Sequence, residues 1–171
     1  MKLFNKKDKM TIEKYSYYVL GIICCGAGNF FERNKDIIKF DLYSEIAYYT
    51  FFTYISEIIM LKKYSANIVE QVKELIIKRM IEVQYKDCSP KDENTIEILQ
   101  NIYADYYNIL KLKSYDFNKE EDLYDISKLF LQILELPTDI IYIMNICFEF
   151  SGFVKFHTKN ILNDKIKIIE N

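Results

Sequence analysis

Glycine, proline, histidine and tryptophan are scarce in this sequence. Its 171 residues include 4 glycines, 2 prolines, 1 histidine and no tryptophan. So few glycines and prolines exclude a collagen-like or linker-rich chain and argue against an all-β fold with many tight turns. One histidine and four cysteines leave few ligands for a metal, so we expect no metal site. Phosphate loops, dinucleotide-binding motifs and zinc-hydrolase pairs are also missing, so no cofactor is expected.

The composition is otherwise that of a globular protein. Half of the residues are apolar and 28% are charged, and the length is typical of one domain, so we expect a single helical domain over 1–171. Isoleucine, lysine, tyrosine, phenylalanine and asparagine together supply 87 residues, and all five have codons rich in A and T. An AT-rich genome explains the many tyrosines and the excess of lysine over arginine, which are therefore weak evidence of function.

The charge balance argues against direct binding of nucleic acid. The net charge is −2 and the pI is about 5.6, whereas nucleic-acid-binding domains typically have a basic face and a pI above about 9. Lys6, Lys7 and Lys9 form the one basic stretch, which Asp8 interrupts. We expect residues 1–10 to be a basic, flexible tail.

The cysteines and the first apolar segment indicate in which cellular compartment the protein is expected. Cys24, Cys25, Cys88 and Cys147 form no Cys-x-x-Cys pair, and we interpret them as reduced, buried residues of a cytoplasmic protein. The uncharged run from Tyr15 to Phe31 has 17 residues, but a spanning helix needs about 20 predominantly apolar ones. A membrane or export role is therefore the disfavoured alternative.

Six segments have helical character and none alternates as a strand does, so the sequence predicts an all-α bundle of about six mostly antiparallel helices. The predicted helices cover Thr11–Phe31, Asp41–Lys63, Ala66–Lys86, Ser89–Lys113, Lys119–Leu136 and Pro137–Asn160. Residues 161–171 are expected to be a tail or a short extra helix.

Helix starts are predicted from capping residues. Asp41, Ser65, Ser89 and Asn118 are suited to N-cap positions, and Glu121 would complete a capping box with Asn118. Pro90 and Pro137 would each occupy a first helical position, where the missing N–H costs nothing.

The helix faces differ in how much polar surface they carry. Helices 4 and 5 each have one apolar and one polar side, which predicts peripheral positions. Helices 1, 2 and 6 are more apolar, and helix 6 has only a narrow polar arc, so we expect these to be central or covered by a partner. One side of helix 1 has only small residues: Gly21, Cys24, Cys25 and Gly28. For this side we favour a tight helix crossing inside the core over a lipid-facing contact.

Helix 2 has a polar stripe without lysine or arginine. Its members are Glu45, Tyr49, Thr53 and Ser56, with Thr50 and Glu57 beside them. The stripe could line a pocket or receive a cationic group. A solvent-facing side of an amphipathic helix is the favoured interpretation.

Arg79 is one of two arginines and lies on the apolar arc of helix 3. A buried guanidinium needs a carboxylate partner. Glu149, Glu45 and Glu57 are the predicted candidates. An internal ion pair is favoured over a site that binds an anion or a partner.

His157 is the lone histidine, late in helix 6. A catalytic role would need a nucleophile or carboxylate beside it, and the sequence places no serine or cysteine there. An enzyme that uses His157 with Glu45 or Glu149 is therefore the least favoured hypothesis.

These observations favour a non-enzymatic module that binds another protein or itself as a homodimer, similar in profile to small inhibitors, immunity proteins or antitoxins. The alternative is a helical bundle that binds a small molecule in an apolar pocket beside Arg79 and the helix 2 stripe. The candidate binding residues are Arg79, Glu45, Tyr49, Thr53, Glu57, Glu149 and His157.

Overall fold

The computed structural model describes residues 8–87, 94–162 and 166–169 of the chain. Six helices occupy 76% of these residues, against about one third in a typical globular protein. The predicted all-α bundle is therefore confirmed.

The first two helices begin where the sequence predicts. α1 spans Ile12–Arg33, and the Thr11 hydroxyl accepts a backbone hydrogen bond at 3.3 Å from its first turn. α2 spans Leu42–Met60, and Asp41 and Ser44 form a reciprocal capping box, with both bonds at 3.0 Å. These bonds satisfy N–H groups that a helix start otherwise leaves unpaired.

The third helix agrees with the prediction to within one residue, and the fourth agrees more coarsely. α3 spans Ala66–Asp87 and starts directly after Ser65, as predicted. α4 spans Thr95–Lys111. The start signal predicted at Ser89 and Pro90 lies outside the described residues.

The predicted cap of the fifth helix is wrong. α5 spans Glu120–Ile133 and α6 spans Ile140–Ile161. The Asn118 side chain donates instead to Asp116 Oδ1 at 2.9 Å. The Asp122 carboxylate, in the first turn of α5, accepts the Asp116 backbone N–H at 2.8 Å. The preceding loop thus uses the polar groups that a cap would need, and the predicted capping box does not form.

Pro137 stops α5 and does not start α6. Glu135 has a φ of 54°, and its N–H donates to the Gln132 carbonyl at 3.0 Å. The Leu136 N–H donates to the Leu131 carbonyl at 2.9 Å. These two bonds form a Schellman motif, after which proline commonly follows because it cannot continue the helix. The sequence does not predict this helix end, because the left-handed position is occupied by glutamate and not by the usual glycine.

A two-stranded parallel sheet joins the two ends of the described chain. β1 is Asp8–Thr11 and β2 is Ile166–Ile169, with Met10 opposite Ile168. The predicted tails are therefore wrong at these residues. An isolated two-stranded sheet is marginal in water. Here alternate β2 residues, beginning with Ile166, are buried, so packing on the bundle stabilises the pair.

α2 is the centre of the bundle and contacts each of the other five helices. Its Phe52 ring lies 4.1 Å from Tyr48 and 4.1 Å from Phe153, measured between ring centroids. The predicted apolar character of the second helix is explained by this central position. α4 and α5 each keep an exposed polar side, which confirms their predicted peripheral placement.

Gly26 allows α1 and α2 to approach closely. The Tyr48 hydroxyl donates to the Ile23 carbonyl at 3.1 Å. A Cβ atom added to Gly26 would lie 2.9 Å from that hydroxyl oxygen, closer than ordinary contacts allow. The absence of a side chain therefore admits the tyrosine.

Candidate functional site

The polar stripe of α2 is buried, which contradicts the favoured solvent-facing interpretation. Thr50, Thr53 and Ser56 are each at most 1% exposed. The Thr50 hydroxyl donates to the Ile46 carbonyl at 2.8 Å, and Ser56 donates to Phe52 at 2.6 Å. Because these hydroxyls bond back to their own helix, they can be buried without partners on other helices.

Glu45 and Tyr49 are half-buried at one end of the stripe. Burial raises the pKa of both groups, and each also faces the other. Nearby, the Tyr103 hydroxyl of α4 donates to Gln84 Oε1 of α3 at 3.0 Å. The structure thus brings two of the predicted site residues to a polar cluster that links α2, α3 and α4.

Glu57 lies at the other end of the stripe. Its Oε2 atom is buried and has no hydrogen-bond partner among the described residues. Burial raises the pKa of Glu57, while Lys73 and Lys111 oppose that rise. Lys73 itself is 6% exposed, and its Nζ bonds Glu70 at 2.6 Å. Two lysines of neighbouring helices thus partly offset the cost of burying the Glu57 carboxylate.

Arg79 contacts α1, so the predicted partners are wrong. Its guanidinium donates to the Ser16 hydroxyl and lies 3.5 Å from Glu13 Oε1. It also covers the Tyr17 ring, with 3.3 Å between the guanidinium carbon and the ring centroid. The Arg79 side chain is 12% exposed and that of Glu13 is 69% exposed. The pair is therefore at the edge of the core.

Glu149 pairs with the other arginine. Arg33 Nη1 bonds both carboxylate oxygens of Glu149, at 2.9 and 3.1 Å. This pair joins the end of α1 to α6. The Arg33 side chain is 60% exposed, whereas that of Glu149 is only 18% exposed.

His157 is sealed inside the bundle. The residue is 0% exposed, and its Nδ1 atom lies 3.3 Å from Ser56 Oγ. Burial lowers the pKa of His157 to about 3. Its Nε2 atom has no partner in the described part of the chain. A serine therefore does lie beside the histidine, which the sequence does not indicate, but the pair is inaccessible to a substrate.

The small-residue side of α1 faces solvent, so the predicted crossing inside the core is wrong. A Cβ atom added to Gly21 or Gly28 would have no neighbouring atom of the described residues within 4 Å. Cys24 and Cys25 are exposed and Cys147 is half-buried, each as a free thiol. The prediction of buried cysteines is thus wrong for these three, and Cys88 lies outside the described residues.

The outer side of α6 exposes several large apolar side chains, which together we call the α6 face; exposed Asn145 and Lys155 lie among them. Its five members are between 54% and 76% exposed: Ile140, Ile141, Met144, Phe148 and Phe156. The inner side of α6 is buried, with Phe150 and Ile146 at 0% exposure. The sequence signal for this surface is a helix apolar almost all round, because burial of one side leaves the other uncovered.

A groove separates the α6 face from α1. It has a volume of about 330 Å³, and Phe148, Gly152 and Phe156 of α6 line its outer wall. Tyr48 and Phe52 of α2 lie at its base. The surface beside α6 therefore has both protruding rings and a recess large enough to receive one.

A second groove lies between α3 and α4. It has a volume of about 900 Å³. Half of its 14 lining residues are apolar or aromatic, including Ile77, Ile81 and Tyr107, and the other half are charged or carry an amide. The Tyr107 hydroxyl is buried and has no hydrogen-bond partner within the described ranges. Neither Arg79 nor the α2 stripe contributes to this lining, so the groove differs in position from the predicted pocket.

Metal and membrane features are absent from the part of the chain that the structure describes. No group of three or more histidine, cysteine, aspartate or glutamate residues there could hold a metal ion. None of the described helices combines the length and apolarity of a membrane span. No protein-family model matches the sequence, and no curated protein or solved structure is significantly similar to it.

Proposed function

We propose that this chain is a non-enzymatic protein-interaction module that associates with a second copy of itself through the α6 face. The observation that carries this proposal is the exposure of five large apolar side chains on one side of one helix. The largest apolar patch on a typical monomer is about 300–600 Å² and is often a functional site.

The size of the surface fits a small dimer. With roughly 150–250 Å² for a fully exposed aromatic side chain, the five partly exposed residues present on the order of 600 Å². Two such surfaces would bury about 1,200 Å², which is the lower end of the range for specific protein interfaces. The groove beside α6 adds contact area around this centre.

The chemistry of the interior supports a binding role over catalysis. His157 is fully buried beside Ser56, and no carboxylate of the described residues bonds either group. Glu45 lies in the cluster with Tyr49, and Glu149 pairs with Arg33 at the surface. The groups that an enzyme hypothesis would combine are therefore occupied in separate contacts.

Sedimentation equilibrium of the full chain tests the proposal. We expect a concentration-dependent dimer for the native chain, and a monomer for the double variant Phe148→Gln/Phe156→Gln. The control is Leu112→Gln/Val83→Gln, which removes two other exposed apolar side chains, 86% and 55% exposed, from the end of α4 and from α3. The control should remain dimeric. A native chain that stays monomeric at millimolar concentration would overturn the proposal, as would equal dimerisation of both double variants.

The second candidate function is binding of an apolar small molecule in the α3–α4 groove. Its volume of about 900 Å³ lies within the range of about 300–1,000 Å³ typical of ligand sites. Ala104 lines this groove, and Ala104→Phe would place a phenyl ring inside it. We expect this variant to bind less anilinonaphthalene sulfonate than the native chain, whereas Ala66→Phe, at the exposed start of α3, should not. Equal dye binding by both variants would contradict this function.

A further inference from the structure

Two of the exposed rings of α6 are placed symmetrically about Gly152. Phe148 and Phe156 lie four residues before and after this glycine, and both are exposed. Gly152 is exposed as well, and a Cβ atom added to it would have no neighbouring atom within 4 Å in the described part of the chain. Residues four apart lie on one side of a helix, so two aromatic rings flank a gap at which another helix can approach the backbone.

The charges around Gly152 are antisymmetric. Glu149 lies three residues before the glycine and Lys155 lies three residues after it, on opposite flanks of this side. Lys155 is exposed, whereas the Glu149 side chain is 18% exposed and already bonds Arg33. A two-fold axis through Gly152 that pairs α6 with an antiparallel copy would place each residue opposite the one at the same distance on the other side. Phe148 would then meet the second copy's Phe156, and Glu149 would meet the second copy's Lys155.

Such an arrangement satisfies what a two-fold interface requires. The same patch must serve both copies, so it must be complementary to itself. Aromatic pairs and opposite charges face one another here, and glycine lies at the point of closest approach. The groove beside Gly152, of about 330 Å³, would offer space for a phenyl ring of the second copy. Arg33, which already bonds Glu149, borders the same contact.

We propose that two copies of this chain dimerise with their α6 helices antiparallel and crossing at Gly152, with Glu149 of each copy paired to Lys155 of the other. This inference rests on the proposed function and adds the geometry of the contact. A symmetry axis elsewhere along α6 predicts different neighbours. An axis through Phe148, for example, would place Lys155 opposite Ile141.

Complementary charge reversal tests this pairing. In Lys155→Glu homodimers, two glutamates would face one another at each end of the contact, and in Glu149→Lys homodimers two lysines would do so. We expect each variant alone to dimerise with a Kd raised about tenfold or more at low ionic strength, because like charges in direct opposition oppose association. An equimolar mixture of the two variants restores opposite-charge pairing between the copies. The mixed dimer should return to within about threefold of the native Kd.

The matched control is Lys159→Glu. It makes the same change of charge on the same exposed side of α6, but its predicted neighbour is Asn145, which has no charge. We expect its Kd to stay within about threefold of the native value. Loss of the Arg33 contact in Glu149→Lys should leave the fold intact, because pairs with an exposed partner contribute little. Circular dichroism of each variant checks that it does.

Gly152→Leu provides a second test that does not depend on charge. A leucine at the crossing point would separate the two helices, so we expect dimerisation to weaken about tenfold or more. Gly21→Leu is the control, because Gly21 is also an exposed helical glycine with open space around it, and it should dimerise normally. A native dimer that requires Phe148 and Phe156, together with a charge-reversed mixture that shows no recovery, would overturn this geometry and leave the proposed function standing. A native monomer would overturn both.

Discussion

Acidification should destabilise this protein through His157. Burial lowers the pKa of this histidine from 6.5 to about 3 in the folded chain, whereas an unfolded chain leaves it near 6.5. Between these two values the unfolded state binds a proton and the folded state does not. The free energy of unfolding therefore falls as pH decreases through that window.

The magnitude follows from the two pKa values. The slope approaches about 1.4 kcal/mol per pH unit once the pH is well below 6.5. From pH 7 to pH 5, the loss due to this one group is about 2 kcal/mol. Below pH 3 no further loss is expected from it, because both states are then protonated.

Urea unfolding followed by circular dichroism at pH 7 and pH 5 measures this loss. His157→Gln removes the titration and keeps a polar side chain beside Ser56. Other groups, including Glu45 and Glu57 with their raised pKa values, titrate equally in both proteins and cancel in the difference. We expect the native chain to lose about 2 kcal/mol more than the variant. An equal loss in both proteins would show that the proton reaches His157 in the folded state and would refute the reasoning.

Three further experiments, with five substitutions between them, test the packing. Gly26→Ala should lower the free energy of unfolding by about 1–2 kcal/mol, because its Cβ would lie 2.9 Å from a buried tyrosine hydroxyl. Gly21→Ala, in open space, should raise the free energy of unfolding by up to about 1 kcal/mol, and equal effects of the two variants in thermal melts would contradict this. Arg79→Met should cost about 1 kcal/mol in urea unfolding, since its carboxylate partner is largely exposed and is not stranded; a cost above about 3 kcal/mol would indicate a buried mate. Ile168→Asp should lower the free energy of unfolding by more than about 2 kcal/mol, because Ile168 is 8% exposed. Ile169→Asp should lower it by less than about 1 kcal/mol, because Ile169 is 39% exposed. Equal losses in the two variants would refute the packing of β2 on the bundle.

Local signals in the sequence predict the helices well. The capping box at Asp41 and Ser44 and the start of α3 after Ser65 depend on neighbouring residues alone. The end of α5 is harder to predict, because Glu135 adopts a left-handed conformation at a position where helices usually have glycine. The two strands are not predicted from the sequence, because a segment of four residues shows little periodicity. Each strand also pairs with a segment at the other end of the chain.

The sequence identifies single residues of the candidate site but not the contacts between them. Arg79 stands out as a polar residue on an apolar arc, yet its neighbour is α1 and not a carboxylate of α2 or α6. Likewise, the stripe of α2 resembles polar surface because a sequence cannot show that a helix is surrounded. Side-chain hydroxyls that bond their own backbone make such burial possible.

Residue patterns within single segments are enough to establish the helical class, the helix starts at Thr11 and Asp41, and the presence of a helix with too little polar surface. These properties arise from residues within one or two turns of each other, where capping and periodicity act. Only the packing of the helices places α2 at the centre, His157 beside Ser56, and the uncovered side of α6 next to a groove with α1. Those outcomes depend on which helices meet, because burial and ion pairing are set by contacts between residues far apart in the chain.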